Sequence, residues 1–256
     1  MLGQDIVRAG GGATVPLTHA ELDVTDAAAV REALTGATVI NCAAYADVDG
    51  SESDSASAHA VNAEGARDVA EAAGRVLYIS TDYVFDGAKR QPYVESDEPA
   101  PLQEYGRSKL AGERATADAN PNHLIVRSSW LFGAGGSNFV ETILTLAGER
   151  DELRVVDDQV GCPTFTGHLA EALVTLAGSD ARGLMHVAGA GSCSWFDFAR
   201  AIVSRAGSDC VVEPCTTAEF PRPARRPPYS VLASELGGAA LPAWQDGLDA
   251  YLGVRA

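Results

Sequence analysis

Short β-branched apolar runs alternate with longer alanine-rich stretches through the first half of the chain. The runs at 13–17, 38–44, 75–80 and 123–133 (ATVPL, TVINCAA, RVLYIS, HLIVRSSWLFG) have the length and composition of buried strands. Between them, 25–36, 55–74 and 104–117 place apolar and small residues at helical spacing. In the second of these, Ala56, Ala60, Ala63, Ala66, Ala70 and Ala73 fall on one face, and alanine is the strongest helix former. Strand and helix in strict alternation predict βαβ units around a parallel sheet.

Beyond about residue 150 the pattern loosens. An extended segment at 153–165 precedes a helix over Thr166–Gly178, a strand at 183–189 and a helix at 194–207. From Pro214 to Pro228 the chain reads as irregular, because each proline fixes φ and removes a donor. The expected architecture is an α/β, Rossmann-type doubly wound parallel sheet with a smaller C-terminal substrate lobe. Residues 1–150 form the dinucleotide-binding part; residues 151–256 form mainly the lobe, with some segments returning to the sheet.

The chain has 19 basic and 35 acidic residues, a formal charge of −16. That field disfavours nucleic acid and anionic lipid. Five cysteines without a CxxC pair argue against a disulfide framework and for a reducing compartment. No apolar run is long enough to span a bilayer and no export signal opens the chain, so a soluble cytoplasmic protein is expected. The five histidines lie at 19, 59, 123, 168 and 186, never three or four apart. The ADVDG loop with Asp47 and Asp49 lacks the remaining donors of a calcium site, and no metal centre is predicted.

The chemistry concentrates in STDYVFDG (80–87) and EYGRSKLAGE (104–113). On a helix, Tyr105 and Lys109 share a face one turn apart. An ammonium near a phenol stabilises the phenolate and makes the tyrosine a usable proton donor to a forming alkoxide. Carbonyl reduction is the reaction such a pair suggests. Taken singly, these residues also have plainer readings: Thr81 as a strand-end cap, Trp130 as core, Arg226 as a solvated loop charge, Asn62 as a backbone partner inside a helix.

LDVTD (22–26), NCAAYADVDGSE (41–52), VNAEG (61–65), VRSSWLFG (126–133), VVDDQVGCPT (155–164) and RRPPYS (225–230) join those two strings in one order across nearly the whole chain. In them the sequence resembles the extended short-chain dehydrogenase/reductases, and among these the dTDP-4-dehydrorhamnose reductases. The resemblance implies NADPH- or NADH-dependent reduction of the C4 keto group of a dTDP-4-keto-6-deoxy sugar, dTDP-4-dehydrorhamnose to dTDP-L-rhamnose. Thr81 would hold the substrate carbonyl, Tyr105 would donate the proton, and Lys109 would tune Tyr105 and bind the nicotinamide ribose.

The resemblance further assigns Gly3, Asp23, Val24, Ala43, Ala44 and Tyr45 to the cofactor, with Tyr105 and Lys109. It assigns Tyr83, Trp130 and Arg226 to the substrate, Arg222 and Arg225 competing with Arg226 for the diphosphate. Gly3 stands where only the last glycine of a phosphate-binding turn would be, so the first strand and most of that turn are expected to be missing ahead of Met1. RRPPYS departs from the family's RPxNS-like string in its tyrosine and second proline. A homodimer is left open, as are two rival functions: a ketoreductase or epimerase for another nucleotide deoxysugar, and a non-catalytic regulatory or binding protein of the same fold.

Overall fold

The computed structural model describes residues 1–237 and 240–255. In chain order the elements are α1 (Leu2–Gly10), α2 (Ala27–Leu34), β1 (Thr38–Asn41), α3 (Ser55–His59), a π-helical segment (Ala60–Gly65), α4 (Ala66–Ala72), β2 (Arg75–Thr81), α5 (Glu104–Ala119), β3 (His123–Ser128) and β4 (Leu131–Phe132). Then come α6 (Phe139–Glu149), β5 (Glu152–Val156), β6 (Val160–Gly161), β7 (Thr164–Phe165), α7 (Thr166–Ala177), β8 (Gly183–His186), β9 (Cys193–Ser194), α8 (Trp195–Arg205), β10 (Val211–Cys215) and α9 (Trp244–Arg255).

The main sheet is parallel, in the order β1-β2-β3-β8. Every residue of β2 is buried, as expected of a strand covered on both faces. Alternation along β2 and β3 sends Leu77, Ile79, Leu124 and Val126 toward α1 and α7, where they meet Leu2, Ile6, Leu169 and Leu173. The opposite face carries Val76 among Val30, Leu34, Val69 and Ala70, and Tyr78 against Ala66 and Ile125. Each such aliphatic side chain contributes about 2 kcal/mol by leaving water. Helices on both faces of a parallel sheet make the doubly wound architecture that the alternating pattern predicts.

The helix starts are legible chemically. Asp26 accepts from the amides of Ala28 and Ala29, and Asp54 from that of Ser57, so each carboxylate caps a first turn. A second core lies under the later elements, with Phe132, Phe198 and Ile202 meeting Trp244, Leu248 and Tyr251 of α9. Among the described residues, no helix is long and apolar enough to cross a membrane.

Two expectations are corrected, and one element was missed. Residues 13–17 form no strand, and Val15 is 82% exposed; no described strand lies beside them to complete a ladder. Residues 211–215 form β10, paired in parallel with β5, although Pro214 lies within it. The amide of Val211 bonds to Asp151, so by alternation the Pro214 nitrogen points out of the ladder and the pairing tolerates it. Finally, α9 went unpredicted, though Trp244, Leu248 and Tyr251 recur at helical spacing.

Candidate active site

Strand β2 ends at Thr81, 7% exposed, at the carboxyl edge of the sheet where ligands of such folds bind. The single turn Asp82–Val84 follows, and Thr81 Oγ1 accepts its Tyr83 amide at 3.2 Å. That turn sets Tyr83 edge-on to Tyr105, ring centroids 6.3 Å apart. Helix α5 starts at Glu104, so Tyr105 lies in its first turn and Lys109 one turn deeper.

Tyr105 is pushed up to about 12, first by burial and then by neighbouring Asp82, while the Thr81 hydroxyl beside it favours the ionised phenol. The Thr81 hydroxyl thus acts in the direction expected of the Lys109 ammonium. Lys109, 2% exposed, is drawn down to about 7 by burial, with Glu113 and Cys42 holding its charge against that loss. Its ammonium stands 4.0 Å from the Tyr78 ring centroid. It makes no hydrogen bond to any described residue, so three donors remain for a ligand. That uncommitted donor set fits the ribose diol of a nicotinamide nucleotide.

A polar layer lies beneath, of which the sequence reading singled out only Asn62, as a backbone partner inside a helix. Glu113 accepts from Ser80 at 2.5 Å and from Arg127 through two bonds of 2.8 and 2.6 Å, all buried. Asn62, in the π-helical segment, closes on the Tyr45 backbone, accepting from its amide at 2.9 Å and donating to its carbonyl at 3.1 Å. Its amide also donates to Ser108 Oγ, whose hydroxyl donates to the Tyr105 carbonyl. Asn62 thereby ties the Ala43–Tyr45 segment to the turn bearing Tyr105. Gly112 permits this approach: a Cβ there would lie 1.9 Å from the Asn62 oxygen. A glycine inside a predicted helix was the sequence signal of this close approach.

Ala43 is half-buried and Ala44 exposed at the end of β1, and the Ala43 amide is held by Asn41. Val24 packs on Gly65, where a Cβ would lie 2.9 Å from it. Asp23 is exposed, its carboxylate engaged with Thr25 of its own turn. Gly3 lies in the first turn of α1 with open space around it. The fit to a dinucleotide is therefore carried by the nicotinamide end, from Tyr45 to Lys109.

Of the three arginines of the proline-rich segment, Arg226 reaches the site. It pairs with Asp49, donates to the Ala224 carbonyl at 2.6 Å and lies close enough to Tyr83 for the two to interact electrostatically, and Asp49 also accepts from the Ala224 amide at 3.0 Å. Arg222 is largely exposed over Phe220, 3.7 Å from Asp49, and Arg225 is exposed. Trp130 follows β3 and is the one non-glycine with positive φ (47°) among the described residues. Its ring stacks flat on Trp195, with centroids 3.4 Å apart, a partner the sequence reading missed. A separate cavity of about 250 Å³, bordered by Asp5, Arg8, Phe165 and Glu171, includes none of these residues. No cluster of metal-ligating side chains occurs among the described residues.

The model of the RmlD substrate binding domain family matches residues 1–255. A dTDP-4-dehydrorhamnose reductase of Mycobacterium tuberculosis is 46% identical over 230 residues, 85% of this chain and 76% of that protein. A crystal structure of a dTDP-4-dehydrorhamnose reductase from Clostridium acetobutylicum superposes with TM-score 0.95 at 41% identity, over 99% of this chain and 95% of that one. The Bacillus anthracis enzyme, solved in complex with NADP, gives TM-score 0.94 at 36% identity over 100% and 95%.

Proposed function

This chain belongs to the RmlD substrate binding domain family, and we propose that it is an oxidoreductase that reduces the C4 keto group of dTDP-4-dehydrorhamnose to give dTDP-L-rhamnose. The observation that carries the reading is the meeting of Thr81 and Tyr105 at the carboxyl edge, with the Lys109 ammonium one turn behind and free of hydrogen bonds to any described residue.

Bound NADPH or NADH supplies the hydride to C4. The Thr81 hydroxyl holds the carbonyl oxygen. Tyr105, with its phenol protonated at neutral pH, gives its proton to that oxygen as negative charge builds there. A donor held at about 12 keeps its proton until an alkoxide begins to form, which ties proton transfer to the reduction itself. Lys109 holds the cofactor ribose and steadies the phenolate left behind. Tyr45, Ala43 and Ala44 present close-approaching backbone to the nicotinamide half, Asp23 and Val24 serve the adenine end, and Gly3 the pyrophosphate.

Arg226, already oriented by Asp49, takes the substrate diphosphate, with Tyr83 beside it and Trp130 on the sugar side. The dinucleotide part is residues 1–150 and the substrate lobe mainly residues 151–256. The protein works in the cytoplasm, and a homodimer is its proposed assembly.

Titration of the purified chain with NADPH, followed by fluorescence, tests the first step, and NADPH consumption with a panel of nucleotide 4-keto-sugars tests the second. Saturable binding and consumption specific to the dTDP-4-keto-6-deoxy sugar are expected. Binding with consumption on a different sugar would move the substrate assignment, and no NADPH binding would overturn the reading.

A further inference from the structure

Asp82, next to Thr81, has no part in the chemistry so far. It is 2% exposed, and among the described residues no cation pairs with it. Arg226, whose charge reaches Tyr83 of this turn, is taken by Asp49 and the Ala224 carbonyl. One Asp82 oxygen, Oδ1, lies 3.2 Å from Thr81 Oγ1, and the other, Oδ2, lies 2.5 Å from Ser230 Oγ. The Ser230 amide is bonded to the Val160 carbonyl at 2.8 Å, so that hydroxyl is delivered by a fixed segment of the C-terminal chain.

A threonine hydroxyl has one hydrogen and two acceptor positions. The Tyr83 amide fills one acceptor position of Thr81. An ionised Asp82 would draw the single hydrogen to itself, leaving none for a substrate carbonyl. With the Ser230 hydroxyl donating to Oδ2, a proton on Oδ1 points at the second acceptor position of Thr81.

We propose that Asp82 is a positioning residue that works as an uncharged acid, donating from Oδ1 to Thr81 and so turning the one Thr81 hydrogen toward the carbonyl oxygen of the nucleotide 4-keto-sugar. This rests on the role given to Thr81 above. The surroundings agree: burial raises the Asp82 carboxyl to about 7 against the opposing bonds from Ser230 and Thr81. The titratable groups facing it are Tyr83 in its own turn, Tyr105 from α5 and Cys162 from the segment before β7. All three are pushed up by burial and stay protonated at neutral pH, so none offers a charge to offset a carboxylate.

The test is the pH profile of kcat/KM for the full chain with NADPH and the dTDP-4-keto-6-deoxy sugar, from about pH 5.5 to about pH 9, in the wild type, Asp82→Asn and Asp82→Ala. Asp82 and Lys109 both titrate near 7, so wild-type kcat/KM should fall more steeply than tenfold per pH unit above about 7, toward about a hundredfold. Asp82→Asn is uncharged throughout and still donates, so it should lose less than about tenfold on the acid side and keep only the tenfold-per-unit limb of Lys109, while Asp82→Ala loses about a hundredfold. A limb as steep in Asp82→Asn as in the wild type would overturn the proposal, as would an Asp82→Asn as inactive as Asp82→Ala.

Infrared difference spectra of wild type minus Asp82→Asn read the carboxyl without turnover. A protonated-carboxyl band at about pH 6 that fades above about pH 8 is expected, and its absence overturns the proposal even in an active enzyme. A band present in a chain that reduces no 4-keto-sugar would instead sink the reductase reading, and the role of Asp82 with it.

Discussion

The Lys109 ammonium stands over the face of the Tyr78 ring, 4.0 Å from its centroid. The ring is held in turn, because the Tyr78 hydroxyl donates to the Asn62 carbonyl at 2.8 Å. A cation above a ring, with Glu113 one turn along the same helix, retains a charge that burial alone would remove. The lysine is thus fixed from below, leaving its donors directed at whatever binds above.

This arrangement has a stability cost with a definite sign. The Lys109 value falls from 10.5 unfolded to about 7 folded. As pH drops from about 10 to about 7 the unfolded chain takes up the proton first, so stability is lost over that window and levels off below it. Lys109→Met should therefore be more stable than wild type at pH 7, by on the order of a few kcal/mol, with the gap closing toward pH 10. Denaturant unfolding of both proteins across that range checks it; a gap independent of pH would contradict it.

The Glu113–Arg127 pair is buried on both sides, with side chains 5% and 3% exposed. Removing one partner leaves an uncompensated charge, so Glu113→Gln or Arg127→Met alone should cost roughly 3–5 kcal/mol. The double substitution should cost less than the sum of the two. A double-mutant cycle by chemical denaturation measures the coupling, and additivity would show that the pair is not acting as one unit.

Two glycines make opposite predictions. A Cβ at Gly112 would lie 1.9 Å from the Asn62 oxygen and 2.3 Å from the Tyr78 hydroxyl, whereas one at Gly3 would meet nothing within 4 Å. Gly112→Ala should destabilise by about 2 kcal/mol or more and disturb the Asn62 clamp. Gly3→Ala, in the first turn of α1, should stabilise by roughly 0.4–1 kcal/mol. Thermal unfolding of the two variants separates them.

Arg226 is half-buried and held by Asp49, and its guanidinium reaches Tyr83 beside Tyr105. Arg226→Ala should raise KM for the nucleotide sugar about tenfold or more while changing kcat little, and Arg222→Ala should change either by less than about threefold. Steady-state kinetics decide between them. Equal effects of the two substitutions would show that the diphosphate is not read by Arg226 alone.

Much of the fold was legible because a parallel sheet needs fully apolar strands, and RVLYIS and HLIVRS supply them in alternation with alanine-rich helices. The segment at 13–17 carries the same composition but finds no neighbour, and a strand exists only by pairing. Pro214 misled in the other direction, since its missing donor matters only on the bonded side of a ladder. At the site, Thr81, Tyr105 and Lys109 stood out because their spacing is local to one strand end and one helix. Glu113 with Arg127 and Asn62 with Tyr45 are pairings across elements, set by register and by a π-helical turn that no periodicity announces.

The central claim is that Tyr105 gives its proton to the oxygen of a nucleotide 4-keto-sugar. Its most direct test is single-turnover reduction of dTDP-4-dehydrorhamnose by the NADPH-loaded chain, comparing wild type with Tyr105→Phe at matched cofactor occupancy. The expected result is dTDP-L-rhamnose formed by the wild type and a rate about 10²–10⁴-fold lower in Tyr105→Phe, with NADPH affinity retained. Comparable rates in the two proteins would remove Tyr105 from the reaction and contradict the mechanism built on it.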